Sequence, residues 1–249
     1  MRSTYDGLIH GEYFPPSPTA PAPRRYARIV DAVRRWSRDP VQRVLEVGAE
    51  QAQTARFLTD HLGLAPEAYA VVDVSAPAVR LLRDAGFAAT SVDVSAEPLP
   101  FPAGAFDAAV MGEVLEHLVD PDHALEEVRR VLRPGGILVL STPNLASWFN
   151  RILLPMGMQP VYTETGTRWV FGRKGFLPRA RPVGHLRVLT STALRELLEF
   201  HAFQLEELTG LPDERIGELH PVVGWFDRRF AALPTLAPGI LAVGRTAGG

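Results

Sequence analysis

Residues 106–144 read FDAAVMGEVLEHLVDPDHALEEVRRVLRPGGILVLSTPN, and their hydrophobic pattern decides the fold. The runs 108–111 and 137–140 are apolar throughout and too short for helices, which suits strands covered on both faces. Between them Leu125, Val128, Val131 and Leu132 recur at helical spacing. The stretch is therefore a βαβ unit, closed by a Pro-Gly-Gly turn. Glu113, Glu116 and His117 fall just past the first strand's carboxyl end, the edge where ligands bind in open α/β sheets.

Outward from this unit, strands and helices alternate. Strands are expected at 44–47, 68–72, 88–92, 106–111, 137–140, 203–208 and 239–243. Helices are expected at 24–36, with Ile29, Val33 and Trp36 on one face, at 52–62, and after Ser75 as far as Asp84. Ser191 is placed as the cap of a helix over 194–200. The pattern predicts an α/β fold: a doubly wound, mostly parallel, seven-stranded Rossmann-like sheet with helices on both faces. Residues 1–40 precede the alternation as an N-terminal extension and helix. Residues 41–249 carry the main domain, interrupted at about 145–190. Insertions after sheet strands project over the carboxyl edge, so both segments are expected to form a lid there.

The chain has 249 residues, a formal net charge of -2 and no cysteine. Near-neutral charge argues against nucleic acid or an anionic membrane as a partner of the whole surface. Without cysteine there is no disulfide framework, thiolate nucleophile or Cys-ligated zinc. No signal-peptide pattern is read in residues 1–25. The apolar segment 230–243 is interrupted by Pro234 and Pro238 and is too short to span a bilayer. A cytoplasmic protein is expected. Residues 15–23 are proline-rich and read as an extended linker.

The segment 44–58, VLEVGAEQAQTARFL, runs strand, turn, helix, and the next strand ends at Asp73. A carboxylate there can accept both ribose hydroxyls of a nucleoside cofactor. A dinucleotide would need a glycine-rich loop facing its pyrophosphate, whereas this loop places Glu50 where a second glycine would stand. A cofactor with adenosine but no phosphate suits it better, with Glu46 and Glu50 facing an ammonium or sulfonium group. Asp73 and Asp93 also suit ordinary turn acids, and Glu46 a helix cap, but two acids each following an expected strand favour the cofactor reading.

These pieces together resemble the class I S-adenosylmethionine-dependent methyltransferases, in the small-molecule branch of ubiquinone-biosynthesis-type O-methyltransferases. The resemblance covers roughly residues 42–208 and rests on VLEVG, Asp73, Asp93 with AEPLPFPAGAFD, EVLEH, LRPGGILVLSTPN and GHLRVLT. It implies S-adenosylmethionine as cofactor. Glu46 and Gly48 would lie at its methionine end, Asp73 and Val74 at the ribose, Asp93 and Val94 at the adenine, and Gly112 beside the bound cofactor. The loop departs from the family in retaining Gly48 alone, with Glu50 and Ala52 replacing later glycines.

Glu113, Glu116 and His117 stand at i, i+3 and i+4, so a helical turn would align them. Two carboxylates and an imidazole so placed can bind a divalent metal such as magnesium. In relatives that hold a metal on such an element a later histidine joins it, and His185 is the matching residue. A metal there would lower the pKa of an acceptor hydroxyl. The rival reading uses His117 or His185 as a metal-free general base, and the plain one has His117 packing. Arg168, Arg173, Lys174, Arg179, Arg181 and Arg187 in the expected lid, interleaved with aromatic residues, suit a carboxylate- or phosphate-bearing acceptor with an aromatic or lipid-like body. Solvated arginines around an aromatic minicore explain them as well. The expected function is methyl transfer to an oxygen of a small acidic or aromatic molecule. The alternative is a non-catalytic or repurposed binding protein on the same fold.

Overall fold

A computed structural model describes residues 24–49, 52–173, 180–213 and 221–248. Its elements run α1 Arg24–Trp36, β1 Val44–Val47, α2 Ala52–Leu62, β2 Tyr69–Asp73, α3 Ala76–Asp84, β3 Ala88–Ser91, β4 Phe106–Gly112, α4 Pro121–Val131, β5 Leu132–Pro143, α5 Trp148–Leu153, α6 Ser191–Phe200, β6 Phe203–Leu211, α7 Pro221–Phe230 and β7 Gly239–Thr246. The sheet has seven strands in the order β3-β2-β1-β4-β5-β7-β6. All neighbours are parallel except β7, which runs antiparallel to both β5 and β6.

The uniform hydrophobicity of β4 follows from its central position. Alternate side chains face opposite layers, so Ala109 and Met111 enter one core while Ala108 and Val110 enter the other. The first core is closed by Ala124, Leu125, Val128 and Val131 of α4 and by Leu194 and Leu198 of α6. The second is closed by α1, α2 and α3 through Ile29, Val33, Ala55, Leu58, Val79 and Leu82. Burying each such aliphatic side chain stabilises the fold by roughly 1.5–3 kcal/mol. The described part of the N-terminal extension, α1, is thus a layer helix whose first turns reach the carboxyl edge, where Tyr26 and Ile29 lie over Gly112.

The ends are set locally. Asp120 caps α4 by accepting from the His123 amide at 3.0 Å, with Pro121 at the first helical position. Ser75 caps α3 as expected, accepting from Ala78. For α6 the cap is Thr190, which accepts from the Ala193 amide, and the helix already begins at Ser191. Placing Ser191 as the cap was therefore wrong by one residue, and the Ser191 hydroxyl is released from that duty. β5 starts earlier than its apolar run: Leu132 pairs with Phe106, and pairing resumes at Ile137 with Ala108. The Pro-Gly-Gly turn is absorbed as an irregularity in the strand, where a Cβ on Gly136 would meet the Arg133 and Asp107 carbonyls at 2.9 and 3.1 Å.

At the outer hairpin, β6 carries a register shift between Leu205 and Glu207. Glu206 accepts from Arg245, while Glu207 accepts from the Trp36 indole at 2.5 Å. Arg245 also donates to the carbonyls of Gly135 and Trp36 at 3.0 and 2.7 Å. One guanidinium thereby ties α1, the Pro-Gly-Gly turn and the last strand together. No helix among the described residues is long and apolar enough to cross a membrane.

Candidate active site

The carboxyl ends of β1, β2 and β4 come together around Gly48. This residue has φ +76°, a Cβ placed on it would meet Val114 Cγ2 at 2.4 Å, and its amide donates to the Val72 carbonyl at 2.8 Å. Only glycine fits this close approach without strain. Beneath it the Glu46 carboxyl is buried and accepts from the Tyr69 hydroxyl at 2.8 Å. Burial pushes the Glu46 pKa up to about 8, the Tyr69 bond partly offsets this, and the charge of Asp73 adds to it. Tyr26 joins the cluster. Burial and Glu46 hold its phenol well above the usual range, while its bond to Thr54 works against them. Tyr26 and Tyr69 escaped sequence reading, although a tyrosine at position 26, in line with Ile29 and Val33, was a visible signal.

Asp73 and Asp93 stand on neighbouring strand ends, linked by the Val92 amide, which donates to the Asp73 carbonyl at 3.1 Å. Each also serves its own turn: Asp73 accepts from the Ser75 amide at 2.7 Å and Asp93 from Ser95 at 3.0 Å. Val74 is exposed beside Asp73, whereas Val94 is buried in the core. Glu50 lies outside the described residues, so its place relative to Glu46 is not part of this geometry.

Past β4 the chain does not form the helical turn that would align Glu113 with Glu116 and His117. Glu113 has φ 59° and its carboxylate accepts from the Ser141 hydroxyl at 2.8 Å. A single 3-10 turn then covers Leu115–His117. Glu116 and His117 instead meet His185, their ligand atoms all lying within 4.8 Å of one another. The placement of His185 is enforced by the backbone, because the Glu116 carbonyl accepts from the amides of Leu186 at 2.8 Å and Arg187 at 3.2 Å.

The protonation of this group follows from its contacts. His185 Nδ1 lies 2.8 Å from the Tyr162 carbonyl. A carbonyl only accepts, so that nitrogen carries the hydrogen. Burial, with His185 next in effect, lowers the His117 pKa to about 4 against the opposing effect of a hydrogen bond to the Gly184 backbone. At neutral pH its imidazole is uncharged. Gly184 beside it takes φ +94°, a conformation that favours glycine. Burial, reinforced by Glu113, raises the Glu116 pKa well above the carboxylate range, despite a 3.0 Å bond from Thr142. Its second oxygen, Oε1, is buried with no hydrogen-bond partner and lies 4.0 Å from His117 Nε2. A buried orphan oxygen facing two imidazoles is a costly arrangement for packing alone, and these three donors fit a divalent cation.

Of the bases in the expected lid, Lys174 and Arg179 lie outside the described residues, as does Phe176. Arg187 is committed to the Leu118 and Val119 carbonyls, and Arg181 stacks 5.6 Å over Trp169. The segment is also not purely basic: Glu164 accepts from the amides of Val183 and Gly184. The positive field is correspondingly smaller than the count of arginines suggests.

A mostly parallel sheet with this strand order and an antiparallel seventh strand is a fold shared with solved S-adenosylmethionine-dependent methyltransferases. Residues 45–140 match a family model described as "Methyltransferase domain". Over 144 residues, 53 % of its length, the chain is 29 % identical to the ubiquinone/menaquinone biosynthesis C-methyltransferase of Bordetella parapertussis, covering 55 % of that protein. Over 216 residues, 75 % of its length, it is 27 % identical to a hybrid PKS-NRPS synthetase of a Fusarium species, covering 5 % of it. The chain thus spans about half, or far less, of the curated relatives it matches. Among solved structures the cyclase SpnF superposes with a TM-score of 0.59 at 21 % identity, over 97 % of this chain and 88 % of that one.

Proposed function

We propose that this protein transfers the methyl group of S-adenosylmethionine to an oxygen of a small acidic or aromatic acceptor. The observation that carries this reading is the cluster of Glu116, His117 and His185, set past β4 on the same edge as Gly48. The methionine end of the cofactor is assigned to Glu46 and Gly48 beside Gly112, the ribose to Asp73 and Val74, and the adenine to Asp93 and Val94. The acceptor oxygen attacks the methyl carbon as the carbon–sulfur bond breaks, leaving a neutral thioether. The hydroxyl proton passes to His117, which burial keeps uncharged and able to take it. Alignment of oxygen, carbon and sulfur in a site closed to water supplies most of the acceleration. Residues 145–190 are read as the cover on the acceptor side, with exposed Arg168 suited to an acceptor carboxylate or phosphate.

A divalent ion would be held by Glu116, His117 and His185, with Glu113 turned away to Ser141. When bound it supplies Lewis-acid polarisation of the acceptor hydroxyl. The test is an assay of methyl transfer to a panel of phenols, hydroxy acids and carbon acids. It is run with added magnesium or manganese and after chelation. Transfer to carbon acids only would overturn the oxygen assignment, which matters because the Bordetella relative is named as a C-methyltransferase.

A second reading, a repurposed or non-catalytic binding protein, is favoured by the Glu50 and Ala52 substitutions in the loop and by a fold neighbour named as a cyclase. Titration with S-adenosylmethionine and S-adenosylhomocysteine separates the two. Absence of both binding heat and a melting shift removes the enzyme reading, because a ligand of the native state must stabilise it.

A further inference from the structure

A cavity lies between the start of α6, β6 and the segment leading into β7, beside the carboxyl end of β5. Its volume is about 280 Å³, and Ser191, Thr192, Arg195, Leu208, Pro234 and Thr235 line it. The Ser191 residue is 4 % exposed. Because Thr190 already caps α6, the Ser191 hydroxyl has no partner among the described residues. The hydroxyls of Thr192 and Thr235 and the guanidinium of Arg195 are likewise unengaged there. At the same place the first amides of a ten-residue helix lack intrahelical acceptors and carry the positive end of its dipole. Arg151, which donates to the Thr235 carbonyl at 3.1 Å, adds a second cation at the rim. The acids of α6, Glu196 and Glu199, form no ion pair with Arg195 among the described residues.

We infer that this cavity binds a phosphate monoester, with the phosphate on Ser191, Thr192, Thr235 and Arg195 and the organic body against Leu208 and Pro234. Donors converging from the helix start and from the opposite segment suit an anion with several oxygens. The volume far exceeds the roughly 30 Å³ that one water takes up, leaving room for the body of the ester. The inference stands independently of methyl transfer, since none of these residues belongs to the cofactor or acceptor site.

The experiment is calorimetric titration of the full chain with glycerol 3-phosphate, inorganic phosphate and, at equal ionic strength, chloride. Wild type is expected to bind both phosphates. Arg195→Ala and Ser191→Ala are each expected to weaken binding about tenfold, the loss typical of one charge-assisted hydrogen bond. Affinity for S-adenosylmethionine is expected to stay unchanged. Arg195 is exposed, so its variant keeps the fold even if Ser191→Ala does not. Tighter binding of the ester identifies an organic phosphate as the ligand, and equal binding identifies the free anion as sufficient. An equal response to chloride, or an Arg195→Ala variant that binds as wild type does, overturns the site.

Discussion

The Tyr69 hydroxyl donates to the Glu46 carboxyl at 2.8 Å inside the core that supports the Gly48 turn. Burial raises Glu46 to about 8, so the folded protein retains a proton at neutral pH that the unfolded chain releases above about 4.5. A group raised on folding contributes stability that is present below its unfolded pKa and lost as pH rises through the folded one. In denaturant titrations without ligand, stability is expected to fall between about pH 4.5 and 8. Glu46→Gln, uncharged throughout, is expected to reduce that slope and to leave the part due to buried Glu116. An unchanged slope in the variant would show that another group is responsible.

Gly48→Ala tests the turn itself. Positive φ costs a non-glycine residue about 1–3 kcal/mol, and the clash with Val114 Cγ2 adds to it. Thermal melts are expected to show a loss in Gly48→Ala that Val114→Ala partly relieves in the double variant. If the second substitution relieves nothing, the contact with Val114 is not what excludes a side chain.

Asp73→Ala is expected to weaken S-adenosylmethionine about 10- to 100-fold, the loss of bonds between a carboxylate and two ribose hydroxyls. It should also lower the melting temperature of the ligand-free protein, because the Ser75 amide loses its acceptor. A melting change with no change in cofactor affinity would reduce Asp73 to a turn residue.

His117→Ala is expected to lower turnover by about 10²- to 10⁴-fold, the range for a general base, with cofactor affinity unaltered. Equal losses in turnover and cofactor binding, from steady-state kinetics and calorimetry, would remove it as the base. Glu116→Gln keeps the bond to Thr142 while replacing a carboxyl oxygen that could ligate a cation with an amide nitrogen. It is expected to abolish any binding of manganese measured by paramagnetic relaxation.

The strands of this protein are legible because they are short, apolar and covered on both sides. β1 and α2 lie where periodicity puts them, and Ser75 announces α3. The turn after β4 is less legible because spacing cannot report φ: Glu113 enters the left-handed region and swings to Ser141, breaking the i, i+3, i+4 alignment. The approach of His185 to His117 depends on two amide bonds to the Glu116 carbonyl across a long insertion, which no local pattern encodes. Ser191 was misassigned because Thr190 and Ser191 are both good caps in sequence, and only the backbone conformation of Thr190 distinguishes them.

The two outermost strands end the sheet in different ways, and each bears on self-association. β3 offers an incoming strand a template only four residues long. β6 offers a longer one, but its ladder is broken at the bulge where Glu206 and Glu207 are fixed by Arg245 and Trp36. Short edges, bulges and anchored charge each discourage edge-to-edge pairing. The folded molecule is thereby guarded against growing into ordered aggregates, and the adhesive strands β4 and β5 become accessible only after the helical layers have come away.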